Sequence, residues 1–92
     1  MELSETYKAA SDVISTEMDG ESVLMHVAKG KYFSLNETGS VIWKKLEEGP
    51  LTLGQMIEAI QAEFEVEADQ CQKDLEGLIK TMMKKGVLEK VS

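Results

Sequence analysis

The 92-residue sequence has no arginine, one histidine, one cysteine and one proline. Its ten basic residues are therefore all lysines, and 17 acids bring the net charge to −7. Arginine is the usual bidentate reader of guanine and the usual clamp on phosphate. An acidic chain without arginine is a poor candidate for binding nucleic acid or an anionic membrane, because the phosphate groups would repel it.

Histidine and cysteine are too scarce for most catalytic and metal sites. His26 and Cys71 are the only residues of their types, so the sequence cannot form a His/Cys cluster for a transition metal. A single cysteine also excludes an internal disulfide and fits a reducing compartment. None of the patterns G-x-S-x-G, G-x-x-x-x-G-K and G-x-G-x-x-G occurs. We therefore expect no catalysis by the isolated chain, no metal and no cofactor.

Long hydrophobic runs are also missing. No apolar run approaches the roughly 18 residues of a membrane span, and the opening MELSETYKAA is polar and acidic, unlike a secretory signal. These features predict a cytoplasmic protein. Hydrophobic residues make up 42% of the chain and charged residues 29%, which is typical of one globular domain. Residues 1–11 show no sustained period and are predicted to be a flexible N-terminal arm, with Tyr7 its one large residue, ahead of a domain at 12–92.

Residues 12–35 predict a three-stranded antiparallel sheet. Asp19-Gly20 and Lys29-Gly30 favour tight turns between alternating apolar and polar segments. The strands are expected at residues 12–18, 21–28 and 31–35. Two tight turns give the order one, two, three, so the third strand, Lys31 to Leu35, should lie at a sheet edge with unpaired N–H and C=O groups.

Three helices are predicted after the strands. Asn36 is placed to cap the first helix, Thr52 and Gln55 form a capping box for the second, and Gly86 follows the end of the third. The predicted ranges are 37–48, 53–64 and 68–85. A three-stranded antiparallel sheet followed by three helices is an α+β arrangement, and we expect a form similar to a winged helix-turn-helix.

Several motifs match one known family. They are Asp-Val-Ile at 12–14, Asp-Gly-Glu at 19–21, Gly-Lys-Tyr-Phe-Ser-Leu-Asn-Glu-Thr-Gly at 30–39, Ile42-Trp43, Leu46, Asp74-Leu75 and the stretch from Leu78 to Leu88. With these motifs the sequence resembles the PqqD-like family over about residues 12–90. The block that joins the third strand to the first helix is the most specific part of the match.

The resemblance implies a function as well as a fold. Members of this family are peptide chaperones, also called RiPP recognition elements, that bind the leader segment of a ribosomally made precursor peptide. They present the precursor to a modifying enzyme, such as a radical enzyme, a protease or a cyclase, in pyrroloquinoline quinone, lasso-peptide or similar biosynthesis. The chain resembles the free-standing kind, and we expect a monomer.

The resemblance places the leader against the third strand and beside the third helix. An exposed edge can accept an added strand through backbone hydrogen bonds, although the N-terminal arm or a second copy of the chain could cover it instead. The candidate peptide-binding residues are Lys31, Tyr32, Phe33, Ser34 and Leu35 on the strand and Asp74, Leu78 and Thr81 on the helix.

The orientation of these side chains is only partly predictable. Adjacent strand residues point to opposite faces, and we expect Phe33 and Leu35 to pack inward and Tyr32 to face solvent or the peptide, with the reverse still open. Asp74 could pair with a basic residue or an N–H group of the leader, or it could be a solvated acid.

Two other classes of protein have a comparable size. A winged-helix DNA-binding protein would fit the fold, but the negative charge and the missing arginine argue against it. An acidic carrier or adaptor domain is the second alternative. Carriers need an Asp-Ser pair at a helix start to hold phosphopantetheine, whereas Ser40 follows Gly39 and no Asp-Ser pair occurs in the sequence.

Overall fold

The computed structural model describes residues 1–91. Their secondary structure, in chain order, is β1 (Thr6–Ala9), β2 (Val13–Met18), β3 (Glu21–His26), β4 (Lys31–Leu35), α1 (Glu37–Glu48), β5 (Leu51–Thr52), α2 (Leu53–Glu63), α3 (Ala68–Lys84) and β6 (Leu88–Lys90). Two antiparallel sheets are present, with the strand orders β2-β3-β4 and β5-β1-β6. The fold is therefore α+β, as predicted.

The predicted three-stranded sheet is β2-β3-β4. Asp19 and Gly20 have φ angles of 53° and 83°, the left-handed conformation that a two-residue primed turn requires. Met18 pairs with Glu21 directly across this turn. On β3, Leu24 lies on the face that packs against the helices and is fully buried. The period-two pattern of the sequence thus selects the buried face of the sheet.

The helices begin and end at the residues that the capping signals indicate. Asn36 Oδ1 accepts a hydrogen bond from the Gly39 N–H at 2.9 Å, at the start of α1. Thr52 and Gln55 form both hydrogen bonds of the capping box before α2. The last helical residues of α2 and α3 each lie one position before the predicted end, a difference typical of helix termini.

The structure differs from the expectation of a flexible N-terminal arm at residues 6–9. These residues form β1, the central strand of the second sheet, with β5 on one side and β6 on the other. Tyr7 is only 1% exposed and belongs to the core. Four residues are too few to show a period, and the partners of β1 are far away in sequence, so a local pattern could not reveal this strand. The second sheet makes the winged helix-turn-helix label only a loose description.

The core lies between the helices and the inner faces of the two sheets. It includes Trp43 of the Ile42-Trp43 motif, which is 2% exposed. On α3, the core residues are Leu75, Ile79 and Met82, and all three are buried. No helix within residues 1–91 is long and apolar enough to cross a membrane.

Candidate functional site

The third predicted strand, β4, lies at an edge of its sheet. It pairs with β3 on one side only, and no strand within residues 1–91 pairs with its other edge. The N-terminal residues do not cover this edge, because β1 pairs with β5 and β6 in the second sheet. The edge of β4 is thus open to an added strand in the part of the chain that the structure describes.

The register shows which backbone groups of β4 point outward. Hydrogen-bonded and non-bonded pairs alternate along antiparallel strands, and the two-residue turn makes Met18 and Glu21 a bonded pair. Odd-numbered residues of β3 therefore bond to β2. The Val27 N–H, which donates to the Asp12 C=O at 2.8 Å, continues the same alternation.

Even-numbered residues of β3 consequently bond to β4. Their partners include Lys31, Phe33 and Leu35, whose N–H and C=O groups are directed into the sheet. Tyr32 and Ser34 occupy the alternate, non-bonded positions relative to β3, so their N–H and C=O groups point to the free edge. These two residues supply the backbone groups that an added strand would meet.

The side chains of β4 divide between the two faces of the sheet. Leu35 is 2% exposed and Phe33 is partly buried against the core, which confirms the predicted inward orientation. Tyr32 is 69% exposed and pairs with Met25 on the outer face. Lys31 lies on the same face of the sheet as Phe33. It lines a pocket together with Thr81 of α3. The inner face of β4 and α3 therefore form the two walls of a groove.

The predicted flank of α3 lies along this groove. Leu78 is partly buried and packs against the core, whereas Asp74 and Thr81 are exposed. Asp74 Oδ1 accepts a hydrogen bond from Gln70 Nε2 at 3.0 Å. The Thr81 hydroxyl donates to the Gly77 C=O at 3.0 Å, so its proton is already used within the helix. Leu78 is thus the apolar side chain among these three residues.

Two pockets lie at opposite ends of the groove. The first, here called the apolar pocket, follows the end of β4 and has a volume of about 290 Å³. Its lining consists of Asn36, Thr38, Gly39, Ile60, Phe64, Val66, Cys71, Asp74, Leu75 and Leu78. It is formed where the start of α1, the end of α2 and the middle of α3 meet.

The second pocket, here called the lysine pocket, lies at the start of β4 and has a volume of about 360 Å³. Its lining consists of Lys29, Lys31, Thr81, Lys84 and Lys85. The structure therefore brings Asp74 and Leu78 together in one pocket and Lys31 and Thr81 together in the other. Tyr32 lines neither pocket.

Sequence reasoning missed several residues of these pockets. Phe64, Ile60, Lys84 and Lys85 were not among the candidate peptide-binding residues. A local signal for the apolar pocket is absent, because the pocket depends on how three helices pack. The signal for the lysine pocket was present in Lys29-Gly30-Lys31 and Lys84-Lys85, two basic pairs in an acidic sequence.

Cys71 is buried and lines the apolar pocket. Burial, and then the negative charge of Asp74, raise the pKa of the Cys71 thiol. A thiol with a raised pKa stays protonated at neutral pH and is a weak nucleophile and metal ligand. Within residues 1–91 no three His, Cys, Asp or Glu side chains are grouped so that they could hold a metal ion. The pocket is thus suited to binding an apolar group.

Comparisons with known proteins identify the family and the fold. The family model described as coenzyme PQQ synthesis protein D (PqqD) matches residues 21–88. The chain therefore belongs to the PqqD family, as its motifs predicted. A comparison with curated proteins gave no significant match.

Two solved structures have the same fold. The structure described as TbiB1 in complex with the TbiA(beta) leader peptide is 36% identical, with a TM-score of 0.82, and the match covers 89% of this chain and 94% of that one. The structure described as lasso peptide synthetase B1 complexed with the leader peptide is 22% identical, with a TM-score of 0.76, covering 90% and 96% of the two chains. At 22% identity the second likeness supports the fold alone.

Proposed function

We propose that this chain binds the leader segment of a ribosomally made precursor peptide and presents the precursor to a modifying enzyme. The observation that carries the proposal is the open edge of β4, which runs beside α3 with a pocket at each end. Family membership supports it, and so does the likeness to TbiB1, whose structure contains a leader peptide.

The proposed mode of binding is the addition of a strand to β4. Tyr32 and Ser34 each offer one N–H and one C=O to the peptide, and each bond contributes about 0.5–1.5 kcal/mol. Alternate side chains of the added strand then point into the groove. A large apolar side chain in the apolar pocket, against Leu78 and Phe64, adds roughly 1.5–3 kcal/mol. Backbone bonds thus supply affinity and the pockets supply specificity.

In this proposal the chain contributes recognition and the partner contributes catalysis. The modifying enzyme holds the reacting groups, and this chain holds the leader so that the core segment reaches them. An effective concentration in the millimolar range is typical of such tethering. The chain itself works in the cytoplasm without a metal or cofactor, as a monomer, in pyrroloquinoline quinone, lasso-peptide or similar biosynthesis.

The test uses short open reading frames that neighbour the gene for this chain. Each encoded peptide is made in full, as its leader half and as its core half, and binding is measured by calorimetry. We expect one leader half to bind with a Kd between about 1 μM and 1 nM, or roughly −8 to −12 kcal/mol. The full precursor should bind as tightly as its leader. A core half that binds as well as the full precursor would overturn the proposal.

A further inference from the structure

The lysine pocket concentrates positive charge on an acidic protein. Lys29, Lys31, Lys84 and Lys85 all line it, although the chain carries only ten lysines and a net charge of −7. Lys8, Lys44 and Lys90 each form an ion pair with a glutamate. The four lysines of the pocket have no acidic side chain of residues 1–91 within 4.0 Å. Their positive charge is therefore available to a ligand.

Two of these ammonium groups lie close to Gly86 and to the Phe33 ring. Lys29 Nζ lies over Gly86, where a Cβ atom would come within 3.0 Å of it. Lys85 Nζ lies 5.9 Å from the centre of the Phe33 ring, within the range of a cation–π contact. The end of α3 carries a partial negative charge of only about one half. This partial charge offsets part of the repulsion among the four lysines, and a bound anion would offset the remaining repulsion.

The spacing of the two pockets matches a short length of extended peptide. From Leu78 to Lys84 the α3 axis rises about 9 Å, and from Asp74 to Lys85 about 16 Å. An extended chain rises about 3.3 Å per residue. A strand on the edge of β4 would therefore span the distance from the apolar pocket to the lysine pocket with about three to five residues.

We infer that the lysine pocket binds the carboxylate of an Asp or Glu in the leader, about four residues from the apolar side chain that fills the apolar pocket, because only an even spacing within the range of about three to five places both side chains on the groove face. This inference rests on the proposed function and adds to it the charge and spacing of the ligand. Backbone bonds alone allow a strand to slip by two residues. An anchor at each end of the groove fixes the register and so determines where the core segment emerges.

The experiment selects peptides from a display library of random 12-residue sequences. The targets are the wild-type chain, the double variant Lys31→Glu/Lys84→Glu and the control Lys45→Glu/Lys73→Glu, whose net charge is the same and whose residues line neither pocket. Circular dichroism confirms that the three proteins fold. For the wild type and the control, we expect enrichment of Asp or Glu at the stated distance from a large apolar residue. The pocket variant should lose that enrichment or select Lys and Arg instead.

Affinities of one selected peptide give a quantitative readout. Changing its acidic residue to the amide should weaken wild-type binding about 3- to 10-fold at low salt, and less at high salt because the lysines are exposed. The pocket variant should not show this loss. Selected peptides without an acidic preference, or a preference that the pocket variant retains, would overturn the inference and leave the proposed function intact. A library from which the wild type enriches no peptide would count against the proposed function itself.

Discussion

The Ser40 hydroxyl accepts a hydrogen bond from the Ser22 N–H at 2.8 Å. The same hydroxyl donates to the Leu35 C=O at 3.4 Å. Because Ser22 and Leu35 are paired across β3 and β4, Ser40 bridges the last rung of the ladder from the first turn of α1. One buried side chain thereby joins the edge strand of the groove to the helix that begins the apolar pocket.

Replacing Ser40 with alanine should destabilise the protein by about 1–3 kcal/mol, because a buried N–H and a buried C=O would both lose their partner. Urea unfolding followed by circular dichroism measures the change. Ser15→Ala is the matched control, since its hydroxyl makes an exposed bond to Glu47, and it should change stability by less than about 0.5 kcal/mol. Equal effects of the two substitutions would show that the bridge contributes nothing.

Local chemistry accounts for what could be predicted of this fold. The cap at Asn36 and the capping box at Thr52 and Gln55 gave the starts of two helices at the observed residues. The Asp19-Gly20 turn gave the pairing of β2 with β3. The predicted tight turn at Lys29-Gly30 is instead a four-residue loop, because β3 ends at His26, which pairs with Lys31. Each of these signals depends on residues at most a few positions apart, so the sequence contains it in full.

Long-range packing accounts for what could not be predicted. β1 has its partners at Leu51–Thr52 and at Leu88–Lys90, more than 40 residues away. The apolar pocket needs Phe64 at the end of α2 to approach Leu78 of α3, and no pattern in either helix specifies that approach. The candidate residues of the site were therefore assigned to one groove, and its division into two pockets appears only in the structure.

Tyr7 tests whether the N-terminal segment is part of the fold. Its side chain is 1% exposed and its hydroxyl donates to a Glu5 carboxylate oxygen at 3.2 Å. Tyr7→Ala should lower the free energy of unfolding by about 3–5 kcal/mol, as other large aromatic-to-alanine changes in cores do. Leu3→Ala, at a residue that is 54% exposed, is the control and should have little effect. Equal stability of the Tyr7 and Leu3 variants would show that the N-terminal segment is a flexible arm, as the sequence predicted.

The raised pKa of the Cys71 thiol predicts how stability depends on pH. Burial favours the protonated thiol in the folded state, whereas the unfolded thiol ionises near its ordinary pKa of about 8.5. Below that pH both states are protonated and the thiol has no effect. Above it the unfolded state gives up its proton first, so stability falls as pH rises. Urea unfolding at pH 7 and pH 9.5 should show a smaller loss for Cys71→Ala than for the wild type.

Burial of Tyr7 acts in the same direction at higher pH, because it raises the pKa of the Tyr7 phenol. The comparison with Cys71→Ala separates the two groups, since the Tyr7 contribution remains in that variant. Equal losses of stability in the wild type and the variant would show that Cys71 ionises as readily in the fold as in the unfolded chain.

Leu78 tests the apolar pocket. Leu78→Ala should weaken leader binding by about 1–3 kcal/mol, because the apolar side chain of the peptide loses a wall of its pocket. The fold should survive, since Leu78 is only partly buried. Met83→Ala is the control, at an α3 residue that is 40% exposed and lines neither pocket. Calorimetry gives the affinities. Unchanged binding by the Leu78 variant would show that the leader does not use the apolar pocket.

Ser34 tests the added strand. Its N–H points to the free edge of β4, so Ser34→Pro deletes one bond to the peptide without breaking the ladder to β3. Leader binding should weaken by roughly 1–3 kcal/mol while thermal stability stays nearly constant. Phe33→Pro has the opposite phase and should destabilise the sheet itself, because the Phe33 N–H is directed toward β3.

The other edge of the sheet provides the matched control. Ser15 lies on β2 with its N–H directed away from β3 by the same alternation, so Ser15→Pro makes the same chemical change on the opposite edge. Leader affinity should be unaffected by it. Amide exchange supplies the independent readout: added leader should protect Lys31–Leu35 and α3, and leave Val13–Met18 nearly unchanged. The leader would instead bind the edge of β2 if protection were concentrated at Val13–Met18 and Ser15→Pro were the variant that weakens binding.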